Sequence, residues 1–272
     1  MRKVINLNYD WYFKNEFFDE YIKDYNNVVN FISVDLPHNA VDIDYNYFNE
    51  QSIHLDCTYK KEIFIEKDWK NKIIVLEFDG ISNVSHIFIN DEFVMTHKGA
   101  YTSFKCNITE YVNFGENNMV TIYVNSHQNN NVPPFGGPLD FLTYAGMYRE
   151  ARLIVLDVNH ISSVFVKTYD PVNSSMVNLE IETAKIAGTL EIILMDKEEE
   201  LINTKVLVNR KTMKVNIDLP SKKLWTLDEP YLYYAKVRYY KDDDCIDEVK
   251  VRFGFREVCF KRNAFYLNGE PL

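Results

Sequence analysis

The sequence predicts an all-β protein built as two sandwiches, and three observations predict it. Apolar residues recur with period two almost everywhere and with period 3.6 almost nowhere. The alternating runs are short, rich in β-branched and aromatic residues, and closed by Asn, Asp, Gly or Lys. At 272 residues the chain exceeds the usual size of one domain, and the pattern changes near residues 157–160.

Taken in order, helical turns are expected only at "NEFFDEYIKDY" and near "KDWKN". Strands are expected at "KIIVLEFDG", "VSHIFIN" and "MVTIYVN", with Asn90-Asp91 as a hairpin turn because Asn and Asp tolerate positive φ. The richest loop, "NSHQNNNVPPFGGPLDFLTYAGMYRE", precedes the strand "ARLIVLDV". Beyond the boundary come about seven evenly spaced strands, among them "TLEIILMD", "MKVNIDL" and "YAKVRYY", ending near "VRFGFREV" and fitting an antiparallel sandwich of about 100 residues. "KDDDCID" reads as a solvated hairpin turn, since Asp242, Asp243 and Asp244 lack the Gly and terminal Glu of a calcium loop. The closing "FYLNGEPL" carries an Asn268-Gly269 hairpin signal with almost no second strand, so residues 257–272 are expected to be extended or poorly ordered.

Composition excludes several classes. A formal net charge of −10 argues against a duplex-binding surface or an anionic membrane, so no nucleic-acid and no membrane partner is expected. The longest apolar runs fall far short of a membrane span, and the first residues show no apolar signal region, which together indicate the cytoplasm. Cys57, Cys106, Cys245 and Cys259 are widely spaced and read as reduced thiols. The three sequons at Asn83, Asn107 and Asn173 are read as chance.

Motifs for hydrolase elbows, zinc proteases, phosphate loops and dinucleotide binding do not occur. The six histidines are scattered singly, and His54 and His86, inside alternating runs, read as packed or surface residues rather than ligands.

The ordered motifs "VDLPHN", "EFDGISNVSHIFIND", "THKGAYTSFKCNITEYV", "GENNMVTIYV", "PLDFLTYAGMYREARL", "WTLDEPYLYYAKV", "RFGFREV" and "FYLNGEPL" together resemble the non-catalytic N-terminal region of glycoside hydrolase family 2. The resemblance covers nearly the whole chain and rests on the order of the motifs. It implies a jelly-roll sugar-binding domain over residues 1–158, an immunoglobulin-like β-sandwich over 159–256, and at 257–272 the start of a TIM barrel that is otherwise missing. The catalytic carboxylates of these retaining enzymes would lie on that barrel, so none is expected in this chain and the chain alone is expected to be inactive. The implied parent is a homo-oligomeric β-galactosidase, or next a β-glucuronidase, acting on a carbohydrate substrate with the barrel as partner in cis. A free carbohydrate-binding module and a structural two-sandwich protein are the competing classes.

By the same resemblance Asp140 would bind substrate and help hold a sodium ion in the full-length enzyme, which would also use magnesium. Pro133, Pro134, Gly136, Gly137 and Pro138 are suited to fixing such a loop. Asn39 of "LPHN" would contact the sugar; an Asx turn is the plainer alternative. Arg149 is expected to fork onto a carboxylate, Gly146 to permit close backbone approach, and Tyr144 and Phe141 to anchor their loop or stack on a sugar. Trp225 is read as packing. Ala100 and Ala145 stand where the family commonly has Gly, and neither adds much bulk.

Overall fold

A computed structural model describes residues 1–43, 45–46, 49–133, 135 and 143–272. The chain divides into two compact units, Lys3–Val155 and Met1–Arg2 with Leu156–Leu272. No helix among the described residues is long and apolar enough to cross a membrane.

The first unit holds β1 (Lys3–Asn6), β2 (Trp11–Lys14), β3 (Ile32–Val34), β4 (Asp56–Ile65), β5 (Lys72–Phe78), β6 (Val84–Ile89), β7 (Glu92–Lys98), β8 (Phe104–Asn107), β9 (Glu116–Asn125) and β10 (Ala151–Asp157). They form a four-stranded sheet, β1-β10-β5-β8, and a six-stranded sheet, β3-β2-β4-β9-β6-β7. Alternation decides which side chains meet between them. Ile74, Leu76 and Phe78 of β5 and Leu153 and Val155 of β10 share one core with Cys57, Tyr59 and Ile63 of β4 and Ile122 and Val124 of β9.

β4 is buried on both faces over Cys57–Lys60, which alternation alone does not predict. The cover is residues 15–31, including the single turn α1 (Glu20–Lys23). Thr58 Oγ1 donates to Glu16 O at 2.7 Å, and Phe17 stacks on Tyr123 at 3.9 Å. Lys60 is fully buried, and its ammonium donates to the carbonyls of Asp24, Tyr25 and Asn27 at 3.3, 3.0 and 2.8 Å. Burial pulls its pKa down to about 8, so it remains mostly charged at neutral pH.

The second unit contains β11 (Ile161–Thr168), β12 (Met176–Thr183), β13 (Thr189–Asp196), β14 (Glu199–Leu207), β15 (Thr212–Asp218), β16 (Tyr233–Lys241) and β17 (Asp244–Phe253). Sheets β11-β12-β15 and β14-β13-β16-β17 enclose a second core. Asn90 and Asp242 adopt positive φ in the turns after β6 and β16, as Asn and Asp can. At the start of β11, Asp247 is fully buried and accepts a two-pronged contact from Arg2 at 3.1 and 2.9 Å and the Ile161 N–H at 2.8 Å.

Residues 257–272 differ from expectation. They fold into β18 (Val258–Lys261), β19 (Ala264–Leu267) and β20 (Glu270–Pro271), an antiparallel meander. The Asn268-Gly269 signal is used, with φ of 52° and 85° across a two-residue turn that pairs Leu267 with Glu270. Order comes from attachment: Asn268 Nδ2 donates to Trp225 O at 2.9 Å, and Asn268 Oδ1 accepts the Glu257 N–H at 3.0 Å. One short turn, the 3₁₀ segment Glu50–Ile53, lies outside the two helical stretches expected from sequence.

Candidate functional site

The site is built around Ala145–Met147, which follow the Asp140 motif in sequence. Asp140 and its neighbours Pro134, Gly136, Gly137, Pro138 and Phe141 lie outside the described residues. All three residues from Ala145 to Met147 are buried, so each backbone polar group needs a partner, and each has one. Ala145 O accepts from Ala40 N at 2.8 Å, Met147 O from His38 N at 2.9 Å and Gly146 O from Ser82 N at 3.0 Å. The three N–H groups donate to Asn39 Oδ1 at 2.8 Å, Ser126 Oγ at 3.2 Å and the Tyr59 hydroxyl at 3.3 Å. This strap is thereby fixed to the 38–40 segment, to β4 and to the ends of β6 and β9.

Gly146 fits as its sequence context implies. Its φ is +86°, and an added Cβ would fall on the Tyr59 hydroxyl and lie 3.1 Å from Ala40 Cβ. Asn39 is at the centre: its amide oxygen takes the Ala145 N–H and its amide nitrogen donates to Val41 O at 2.7 Å. The amide thus closes a local turn and clamps the strap, leaving one hydrogen and one lone pair for a ligand. Tyr59, which sequence reading did not single out, joins the pieces. Its hydroxyl also meets His38 Nδ1 at 2.7 Å, and burial pushes the phenol well above its ordinary pKa. Burial likewise lowers His38, against a smaller opposing pull from Asp42. No local pattern marks Tyr59 in the sequence, because β4 is buried on both faces around it.

An open cavity of about 780 Å³ lies nearby, lined by Pro37, Asp79, Tyr101, Thr102, Ser103, Arg149 and Glu150. Tyr144 is half exposed and stacks on Tyr148 at 4.6 Å, with Tyr101 edge-on to Tyr148 at 6.3 Å. The Tyr148 hydroxyl donates to Ala100 O. Ring faces beside hydroxyls and carboxylates suit a polyhydroxylated ligand.

The expected arginine fork is three residues further on. Arg152, not Arg149, holds Asp79 at 2.9 and 2.6 Å, keeping that carboxyl below its usual pKa. Arg149 is exposed, lies over Tyr148 at 5.6 Å, and makes no ion pair among the described residues. The reason is register: Arg152 lies in β10, beside the strand that ends next to Asp79. His54 meets Gln51, His86 meets Thr96 at 2.9 Å and stacks on Tyr123, and no group of three potential metal ligands occurs among the described residues. Trp225 is partly buried, with Arg256 over its ring.

Residues 13–157 match the family model for the sugar binding domain of glycosyl hydrolases family 2, and residues 159–256 match a second model of that family. The chain belongs to glycosyl hydrolase family 2. Among curated relatives, the family 2 chain is 34% identical to a β-galactosidase of Thermoanaerobacterium thermosulfurigenes over 287 residues, covering all of this chain and 40% of that protein. It is 28% identical to a β-glucuronidase of Bacteroides fragilis, covering 88% and 37%. A crystal structure of a putative β-galactosidase from Bacteroides fragilis superposes with a TM-score of 0.83 at 26% identity, covering all of this chain and 44% of that one. The chain spans about two fifths or less of the first curated relatives it matches.

Proposed function

We propose that this chain is the non-catalytic sugar-binding and immunoglobulin-like portion of a retaining glycosidase that cleaves terminal β-galactosides, with β-glucuronides the second choice. The observation that carries the reading is the strap Ala145–Met147, whose six paired backbone groups fix the downstream end of the Asp140 sequence. A site assembled from two domains needs such rigidity, because a misplaced contact loses much of its effect on the transition state. Relatives named β-galactosidase and β-glucuronidase support the reaction class. In this reading the two carboxyl groups about 5 Å apart that retention requires are on residues beyond this chain. Four free cysteines support a reducing, cytoplasmic setting.

Asp140 binds the sugar in this proposal, and Asn39 acts as a positioning residue for the strap with its remaining amide hydrogen turned to substrate use. A sodium ion at Asp140 would need further ligands, and the described residues supply no ready-made group of three.

The test is Asp140→Ala in a polypeptide that includes the catalytic portion, assayed on β-galactoside and β-glucuronide side by side. Loss of a contact to a charged group, about 1.5–3 kcal/mol, should lower kcat/KM about ten- to two-hundred-fold. The 272-residue chain should show no turnover. Activity of the variant equal to wild type on every substrate, or hydrolysis by the chain alone, would overturn the proposal.

A further inference from the structure

The second unit carries a smaller cavity, about 340 Å³, whose lining includes none of the residues named above as sugar contacts. Its walls are apolar at Val166, Leu232 and Phe253, and its only charged lining residues are Arg252 and Arg256. In a protein of net charge −10 this concentration of positive charge is unexpected. Three other arginines are paired: Arg2 lies on Asp247, Arg152 on Asp79 and Arg238 on Glu248. Among the described residues, Arg252 and Arg256 have no carboxylate partner.

The guanidinium of Arg256 is also held in place. It lies 4.8 Å over the Trp225 ring, and Trp225 is itself fixed by its N–H to Phe255 O at 2.8 Å and by Asn268 Nδ2 on its carbonyl. A guanidinium over a ring keeps its in-plane N–H donors available, the arrangement in which arginine recognises planar oxyanions. Gly254, between the two arginines, packs closely: an added Cβ would come within 3.2 Å of Tyr231 O and 3.4 Å of Trp225 Cβ. The Thr168 hydroxyl makes a long contact to Gly254 O, 3.4 Å, and can turn its hydrogen to a ligand at little cost.

We propose that this cavity binds a small oxyanion, a carboxylate or phosphate group, gripped by Arg252 and Arg256 with the Thr168 hydroxyl as a third donor. The volume sits at the lower end of small-ligand sites, which favours a compact ligand over a polymer. Charge-assisted bonds from guanidinium groups to an anion are the stronger kind.

Isothermal titration of the 272-residue chain at low salt, with inorganic phosphate, glucuronate and neutral glucose as probes, tests this without reading glycosidase activity. The expected result is stoichiometric binding of phosphate or glucuronate that weakens as salt rises, and none of glucose. Phosphate without glucuronate would identify a free inorganic anion as the ligand; the reverse would identify a uronate. Arg252→Gln and Arg256→Gln should each weaken binding about tenfold or more, with Arg256→Lys in between, while exposed Arg210→Gln, outside the cavity, changes nothing. Thermal melts show that each variant is folded, and if one is not, the other together with the salt series decides. No binding of either anion, equal binding of glucose, or equal weakening by Arg210→Gln would overturn the proposal.

Discussion

Replacing Tyr59 by Phe and Gly146 by Ala, singly and together, probes the junction that holds the strap. Tyr59→Phe keeps the ring volume but leaves the buried Met147 N–H without its acceptor; His38, half-buried, can find water instead. An unpartnered buried donor costs about 1–3 kcal/mol. Gly146→Ala adds about 1–2 kcal/mol for a left-handed backbone and about 1–3 kcal/mol for the clash with the Tyr59 hydroxyl. In the double variant that hydroxyl is gone, and the next neighbours, Ala40 Cβ at 3.1 Å and Tyr59 Cζ at 3.2 Å, are tight but can yield. The double variant should therefore be more stable than the sum of the singles predicts, by about 1–3 kcal/mol. Thermal and urea unfolding followed by circular dichroism reads this, with each kcal/mol worth roughly 2–4 °C in a unit of this size. Additivity within about 0.5 kcal/mol would mean that Gly146 and Tyr59 do not meet as described.

Acid should weaken the fold through histidine. His38, His86 and His97 are all lowered from 6.5, burial being the main cause, so the folded state binds fewer protons than the unfolded one. Their contribution is complete above about pH 6.5 and is lost as pH falls through that value toward the folded pKa values; a Tm at pH 5.5 equal to that at pH 7.5 would contradict it. A thiol reagent should label exposed Cys259 quickly and buried Cys57 and Cys106 only on unfolding, since burial raises Cys57 and takes Cys106 to about 12; mass spectrometry of the labelled peptides gives the order. Asn39→Ala should cost about 1–2 kcal/mol in the same melts by freeing the Ala145 N–H, with Asn39→Asp milder because it keeps the acceptor.

Much of this was legible because β patterning is local. The runs at β6 and β16 show their inward faces by alternation, and the turns at Asn90 and Asp242 follow from residues that accept positive φ. What stayed hidden depends on distance along the chain. Lys60 reads as a surface residue until residues 15–31 fold over it, and its three carbonyl partners lie 33 to 36 positions away. Tyr59 meets Met147 across 88 positions and Asn39 meets Ala145 across 106, so no window of sequence contains the junction. Arg149 and Arg152 are equivalent in type, and strand register alone chose between them. The meander at 258–271 was missed because its anchor, Trp225, is 43 residues from Asn268.

The pairing of Arg2 with Asp247 has a consequence for dissecting the molecule. The second sandwich is discontinuous in sequence: a fragment beginning at residue 157 keeps the buried carboxylate and the Ile161 N–H but discards the guanidinium 245 positions earlier. Stranding such a charge costs on the order of 3 kcal/mol, so this fragment should be less stable than the same residues in the full chain. Restoring a cation near Ile161 would be the natural repair. A tag fused ahead of Met1 is, by contacts, attached to the second sandwich even though it precedes the first.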